Sequence, residues 1–264
     1  MKKVFCKIMA LTIAVSSVAT FVGCGTNSSS ENSTSTTTAI VETTAQNDEN
    51  FDMKSLHTFD AESSDPFAGV WHITAGEGIS FKNFQYLFDG NGKGSMVIDN
   101  MGYCQDYGVT QDSTQEGAEG KSTFTCQFMF GINGVYTYEF SDSNSKVVLT
   151  NISSNKTTTM EKLVAYDFVP IPDAKPVVDN DLVGAWKSDS GEYYYFSKDG
   201  LMYHNQYGTI FTYYSYSAKE NVITATYKMK DEVTETYDYT VDGDKLTMNN
   251  FEYTRISTSE LDKF

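Results

Sequence analysis

The chain has 264 residues, with 19 Lys and Arg against 35 Asp and Glu, and a formal net charge of −16. That excess argues against a nucleic-acid partner, because phosphate binding is driven by Lys and Arg neutralisation. It also argues against electrostatic attachment to anionic lipid; its plainest meaning is solubility and colloidal repulsion.

Lys2, Lys3 and Lys7 form a positive start, and the stretch from Ile8 to Val22 is mostly apolar or small. This stretch is too short and too interrupted to prefer spanning a membrane, so residues 1–23 read as an export signal. Phe21-Val22-Gly23-Cys24 resembles a bacterial lipobox, with Phe21 where that motif usually has Leu. The resemblance implies cleavage before Cys24 and a diacylglycerol on its thiol, and two acyl chains suffice for stable anchoring. The alternative is a plain secretory signal with a chance cysteine. Cleavage would remove three Lys and no acid, taking the formal charge from −16 to −19.

From Thr26 to Asn50 the chain is dominated by Ser, Thr and Asn. Such a composition cannot bury enough apolar surface to offset the entropy of ordering. Residues 24–64 are therefore expected to be a lipidated cysteine and a disordered tether, in which the roughly 25 residues from Thr26 to Asn50 alone have a reach on the order of 25–30 Å. This expectation puts the protein on the outward face of the cell membrane.

Proline punctuates the remainder of the chain. Pro66 precedes Gly69-Val70-Trp71, and Pro170, Pro172 and Pro176 precede Gly184-Ala185-Trp186. Neither run beyond these points contains a proline, as unbroken ladders prefer. The chain thus divides into two domains, 65–165 and 181–264, joined by a Pro-rich linker over 166–180. The second reads as eight strands: Leu182–Lys187, Glu192–Ser197, Leu201–Asn205, Ile210–Ser217, Val222–Lys228, Glu232–Val241, Lys245–Met248 and Phe251–Ile256. Lys198-Asp199-Gly200 and Asp242-Gly243-Asp244 supply hairpin-turn chemistry between them. Alternation is plain in Val233-x-Glu235-x-Tyr237-x-Tyr239-x-Val241. The first domain repeats the plan. Phe88-Asp89-Gly90-Asn91-Gly92 answers Phe196 to Gly200, Tyr136-x-Tyr138-x-Phe140 answers Tyr237-x-Tyr239-x-Val241, and Met160 to Leu163 answers Tyr253 to Ile256. Its extra length sits around Thr110–Lys121.

A G-x-W near the start, with a basic residue on the last strand, resembles the lipocalin-like, or calycin, β-barrels. The resemblance pairs Trp186 with Arg255 and Trp71 with Lys162 as structural closures of one barrel end. It implies an all-β fold of two tandem small antiparallel, up-and-down barrels. Lys162 departs from the family's Arg and cannot stack as a planar group. An eight-stranded barrel can be filled by its own side chains or hold one small ligand. The second domain is expected to be filled, and the longer first domain is the place for a pocket.

Cys6 leaves with the leader, while Cys104 and Cys126 remain. A disulfide between them would close a loop of roughly 20 residues, worth about 3 kcal/mol, and is expected in an oxidising envelope; in an anaerobe's envelope both would be free. Zinc would need two further ligands, and no His lies near either thiol in sequence. His57, His72 and His204 form no metal-ligand spacing and flank no nucleophile motif. Asp89-x-Asn91-x-Lys93-Gly94 has a cation where a calcium loop needs oxygen, and reads as a hairpin turn. No catalysis, metal or cofactor is expected. Tyr193-Tyr194-Tyr195 and Tyr213-Tyr214-x-Tyr216 place rings on both faces of their strands; the outward rings are either a binding surface or ordinary strand residues. The expected role is binding of a small apolar ligand, a glycan or a protein at the cell surface. The alternative is a structural or assembly protein with packed barrels and a docking surface.

Overall fold

Tyr, Thr, Val and Phe at alternating positions, with Gly, Asn and Asp between the runs, favour strands with one buried face. The computed structural model describes residues 51–76, 84–128, 131–164, 168–173, 175–229 and 231–261, all within one compact unit. They form sixteen antiparallel strands, two short 3-10 turns and no α-helix. The first eight are β1 (Gly69–Gly76), β2 (Gln85–Phe88), β3 (Lys93–Ile98), β4 (Met101–Thr110), β5 (Thr123–Gln127), β6 (Asn133–Ser141), β7 (Lys146–Asn151) and β8 (Thr157–Leu163). The last eight are β9 (Gly184–Lys187), β10 (Tyr193–Phe196), β11 (Leu201–Gln206), β12 (Ile210–Lys219), β13 (Val222–Met229), β14 (Asp231–Asp242), β15 (Lys245–Met248) and β16 (Phe251–Ile256). Each strand expected in 181–256 forms, most within two residues of its expected ends.

Strands β9 to β16 pair each with the next, and β16 returns to β9 through Arg255 opposite Trp186. This is a closed eight-stranded up-and-down barrel, which leaves no free sheet edge where its strands pair round the ring. The pleat sends Trp186, Tyr194, Phe196, Met202, Tyr214, Tyr216, Ile223 and Leu246 inward, where all are buried. The other eight strands pair in the same consecutive order, with β4 on β5 and β8 on β1, and Trp71 stands opposite Lys162. Phe67, Trp71, Phe88, Phe124, Phe128 and Leu149 form the heart of their core, each fully buried.

The two sets share one sheet. β12 pairs with β4, with Ile210 opposite Tyr103, Phe211 opposite Gly102 and Thr212 opposite Met101. A third apolar cluster covers the outer faces of β10, β11 and β12, and Val97 and Cys104 of the first set join it. This explains the tyrosine triplets. Tyr193, Tyr195 and Tyr213 face outward from the barrel, yet each is buried in the third cluster, so they glue elements together and present no surface.

Part of the expected tether is ordered. Residues 51–64 fall inside the segment read as a flexible tether, but Met53–Leu56 forms a 3-10 turn that buries Met53 and Leu56 against the outward tyrosines. Asp52 caps it by accepting from Lys54 N at 3.0 Å. The composition changes at Phe51, the first aromatic after the leader, with Met53 and Leu56 close behind, and burying two such residues is worth roughly 3–6 kcal/mol. The leader, Cys24 and residues 24–50 lie outside the described residues.

Candidate functional site

The end of the β9–β16 barrel that carries the G-x-W is closed. Trp186 Nε1 donates to Leu182 O at 2.8 Å, and Arg255 lies over the indole with its guanidinium carbon 4.0 Å from the ring centroid. The same guanidinium donates to Val183 O and Asp181 O, each at 2.6 Å. In the first set Trp71 Nε1 donates to Phe67 O at 2.6 Å, the same four-residue reach back, and Lys162 Nζ sits 5.5 Å from the ring. Gly69 and Gly184 both have positive φ, which turns the chain sharply into the first strand of each set. At Gly69 the missing Cβ also leaves the space that the Lys162 side chain fills. Arg255 thus makes two charge-assisted bonds and a stack, whereas Lys162 makes a longer cation–π contact. Arg255→Ala is expected to cost about 2–4 kcal/mol and Lys162→Ala about 1 kcal/mol or less. Urea denaturation of the two variants side by side measures the difference, and equal losses would refute the asymmetry.

Cys104 and Cys126 are both free thiols, which corrects the expected disulfide. Cys126 is the cross-strand partner of Tyr107, and both face the core of the first set. Cys104 is three residues from Tyr107 on β4, so the pleat turns it to the opposite face, where it packs in the third cluster. The sheet wall stands between the two sulfurs. Burial pushes both thiols up to about 12. Iodoacetamide at mildly alkaline pH should therefore leave both unmodified in the folded protein and alkylate both in denaturant; a mass two daltons below the reduced value would restore the disulfide.

Next to the Trp186–Arg255 closure, beginning at Tyr194, the cross-strand partner of Trp186, the β9–β16 barrel has a different chemistry. Going round it, the inward positions are Tyr194 on β10, His204 on β11, Tyr214 on β12, Tyr227 on β13, Glu235 and Tyr237 on β14, and Tyr253 on β16. Tyr194 stacks on His204 with centroids 4.1 Å apart and planes 7° apart, as their register as cross-strand partners requires. His204 Nε2 lies 2.7 Å from Glu192 Oε1, and Tyr253 donates to Glu192 Oε2 at 2.9 Å. Burial works to raise the Glu192 carboxyl, but the hydrogen bond and charge of His204 and the Tyr253 hydroxyl outweigh it and hold the carboxyl below its ordinary value. Tyr237 donates to Glu235. Two perpendicular ring pairs, Tyr194 with Tyr253 and Tyr214 with Tyr227, have centroids 5.3 and 5.0 Å apart. Burial, followed by neighbouring carboxylates and phenols, raises the Tyr194, Tyr214, Tyr237 and Tyr253 hydroxyls, so all four stay neutral at physiological pH. Phe251, 66% exposed, lies on the face of β16 that carries Tyr253, and Tyr207, 61% exposed, sits in the β11–β12 turn.

The sequence alone marks none of these residues as a site. The register that assembles them is nevertheless implied there. A tight turn at Lys198-Asp199-Gly200 puts Phe196 opposite Met202, and counting outward puts Tyr194 opposite His204. Closure of the barrel is what brings Tyr253 and Tyr237 round to meet them, and no local pattern carries that.

The other positions considered have structural roles. Asp89 Oδ1 accepts from Asn91 N and Lys93 N at 2.7 and 2.9 Å, which makes it a turn cap. No group of three His, Cys, Asp or Glu among the described residues is arranged to hold a metal. A shallow groove of about 470 Å³ on the outside of β14 is lined by Asp238, Thr240, Thr247 and the turn residues Glu220, Asn221, Asn249 and Asn250. Its backbone and Asn249 are tied together across the turn, with Asp238 N donating to Asn249 Oδ1 at 3.0 Å. An all-β antiparallel protein with an eight-stranded closed barrel, compatible with a calycin-like barrel, is the class these features define. No protein-family model matches the chain, and no curated protein matches it.

Proposed function

We propose that this chain is a membrane-anchored envelope lipoprotein, built as two tandem calycin-like barrels, that binds a ligand at the tyrosine-rich mouth of the second barrel without chemical turnover. The observation that carries the reading is a layer of buried, oriented phenols hydrogen-bonded to the carboxylates Glu192 and Glu235, with exposed Phe251 on the same face of β16 as Tyr253 and exposed Tyr207 in the β11–β12 turn. Exposed rings beside fixed hydrogen-bonding groups are the usual make-up of a recognition site. The Trp186–Arg255 closure supports it, because it blocks approach from the G-x-W end of the barrel. The duplicated Trp71 and Trp186 contacts support the tandem arrangement. Anchoring through Cys24 and display on the outer face of the membrane rest on the leader and its lipobox-like end.

The test is an NMR fragment screen that follows tyrosine ring resonances of the wild type and of a Tyr237→Ala/Phe251→Ala variant. Hits that vanish in the variant, with its thermal midpoint within a few degrees of wild type, are the expected result. A screen without hits, or hits indifferent to the substitutions, would sink the reading. Metabolic labelling with palmitate, lost in Cys24→Ala, tests the anchor separately. The packed aromatic cores favour a second reading, an assembly protein whose mouth docks a neighbouring envelope protein; it would give no small-molecule hits.

A further inference from the structure

We propose that the β13–β14 hairpin, where it runs past the end of β15, takes an extended segment of a partner protein as an added strand, one with Lys or Arg at alternate positions. This surface is separate from the tyrosine layer and goes beyond the preceding reading.

The carrying observation is an unpaired stretch of β14. Up to Asp238 this strand pairs with β13 on one side, but β15 covers its other side only from Tyr239 to Asp242. β15 stops there because Asn249 and Asn250, with φ of 49° and 70°, form a two-residue turn that reverses the chain into β16. Asn249 seals the last position: its N donates to Asp238 O at 2.9 Å, and its Oδ1 accepts from Asp238 N at 3.0 Å. Backbone groups alternate sides along an antiparallel strand. Those of Glu232, Thr234 and Thr236 therefore point the same way as those of Asp238, to the side where no strand pairs among the described residues. The first set closes the equivalent place. There β7 runs on to Asn151 opposite Tyr136, and Ile152 N donates to Val135 O at 3.0 Å.

Charge selects the occupant. Edges are ordinarily guarded by Lys, Pro or a bulge, and β14 has none of these from Asp231 to Asp238. It has Asp231, Glu232, Glu235 and Asp238, with Lys228, opposite Glu232, as the one basic residue of β13 and β14. Glu232, Thr234, Thr236 and Asp238 share the exposed face, so an added strand would lay every second side chain beside that face. Lys or Arg at those positions meets Glu232 and Asp238. A second copy of the chain is disfavoured as the occupant, since each copy carries −16. Strand addition draws affinity from the backbone and selectivity from alternate side chains.

The test is an NMR titration of the full chain with an alternating Lys-Val octapeptide, following the amides of Thr234 and Thr236. The comparisons are the alternating Glu-Val octapeptide and a Lys-Val peptide N-methylated at every second amide. The Lys-Val peptide is expected to bind at least about tenfold more tightly than the Glu-Val peptide, to slow exchange at both amides, and to lose its binding on N-methylation. Thr234→Pro removes an edge-facing N–H without touching the β13 ladder. It should weaken binding about tenfold or more and leave the thermal midpoint within a few degrees of wild type. Glu232→Lys/Asp238→Lys, which keeps the backbone, should reverse the preference in favour of the Glu-Val peptide. Equal binding of the N-methylated peptide, equal binding of the two charge patterns, or a self-dimer that Thr234→Pro dissolves would overturn the proposal. So would the absence of any shift at these amides with every peptide.

Discussion

Gly102→Val is expected to break the seam between the two halves of the sheet, at a cost of roughly 3 kcal/mol or more. Gly102 sits on β4 opposite Phe211 of β12, and a Cβ there would fall within 2.8 Å of three atoms of the Phe211 ring. The ring cannot give way. Its other face stacks on His57 with centroids 3.9 Å apart, and Phe168 and Tyr213 pack at its edges. The neighbouring bonds, Cys104 N to Thr209 O and Tyr213 N to Asn100 O, each at 2.8 Å, would be strained with it. Gly108 is the matched control. It lies on the same strand and face, its added Cβ would meet nothing, and Gly108→Ala should be neutral or slightly stabilising. Urea denaturation followed by near-ultraviolet circular dichroism reads the outcome. An early transition in Gly102→Val, separating the seam from the cores, is expected; one cooperative transition with an unchanged midpoint would show that the seam contributes nothing.

The second large effect is a loss of stability in mild acid that depends on one histidine. His57 is fully enclosed by Phe211, Tyr203, Phe168 and Tyr213, with Nε2 3.2 Å from the Tyr203 hydroxyl. Burial lowers its pKa to about 3. An unfolded histidine titrates near 6.5, so between these values the unfolded chain holds a proton that the folded chain does not. Stability therefore rises with pH through this window and is lost as pH falls, by up to about 1.4 kcal/mol per unit. From about pH 6.5 to about pH 5 the wild type should lose about 2 kcal/mol. The carboxylates, Glu192 among them, take over only below that range. His57→Gln should lower stability at neutral pH but flatten the dependence between these values, as denaturant midpoints at each pH would report. An unchanged slope in the variant would assign the acid sensitivity to another group. Because His57 belongs to the short segment 51–57 that packs over the outward tyrosines, acid is expected to loosen that segment first, visible as faster amide exchange over 51–57.

What the sequence alone determined was everything governed by nearest neighbours and by the pleat. Alternation, turn residues and the absence of internal proline specify the strands of both runs, and the repeated G-x-W places Trp186 beside Arg255 and Trp71 beside Lys162, because antiparallel consecutive pairing leaves the first and last strands of each run as partners. What only the tertiary structure decided were contacts between residues far apart in the chain. The β4–β12 seam depends on one glycine admitting one ring. The outward tyrosines are interior because residues 51–57 and 168–169 return to cover them. The two thiols stay apart because an odd spacing on a strand puts neighbours on opposite faces of a closed wall, a parity that becomes legible only once Tyr107 and Cys126 are seen as partners. The mouth exists because closing a barrel gathers one residue from each of several strands into a ring, and local periodicity records each strand's inward face without recording which strands will stand across from one another.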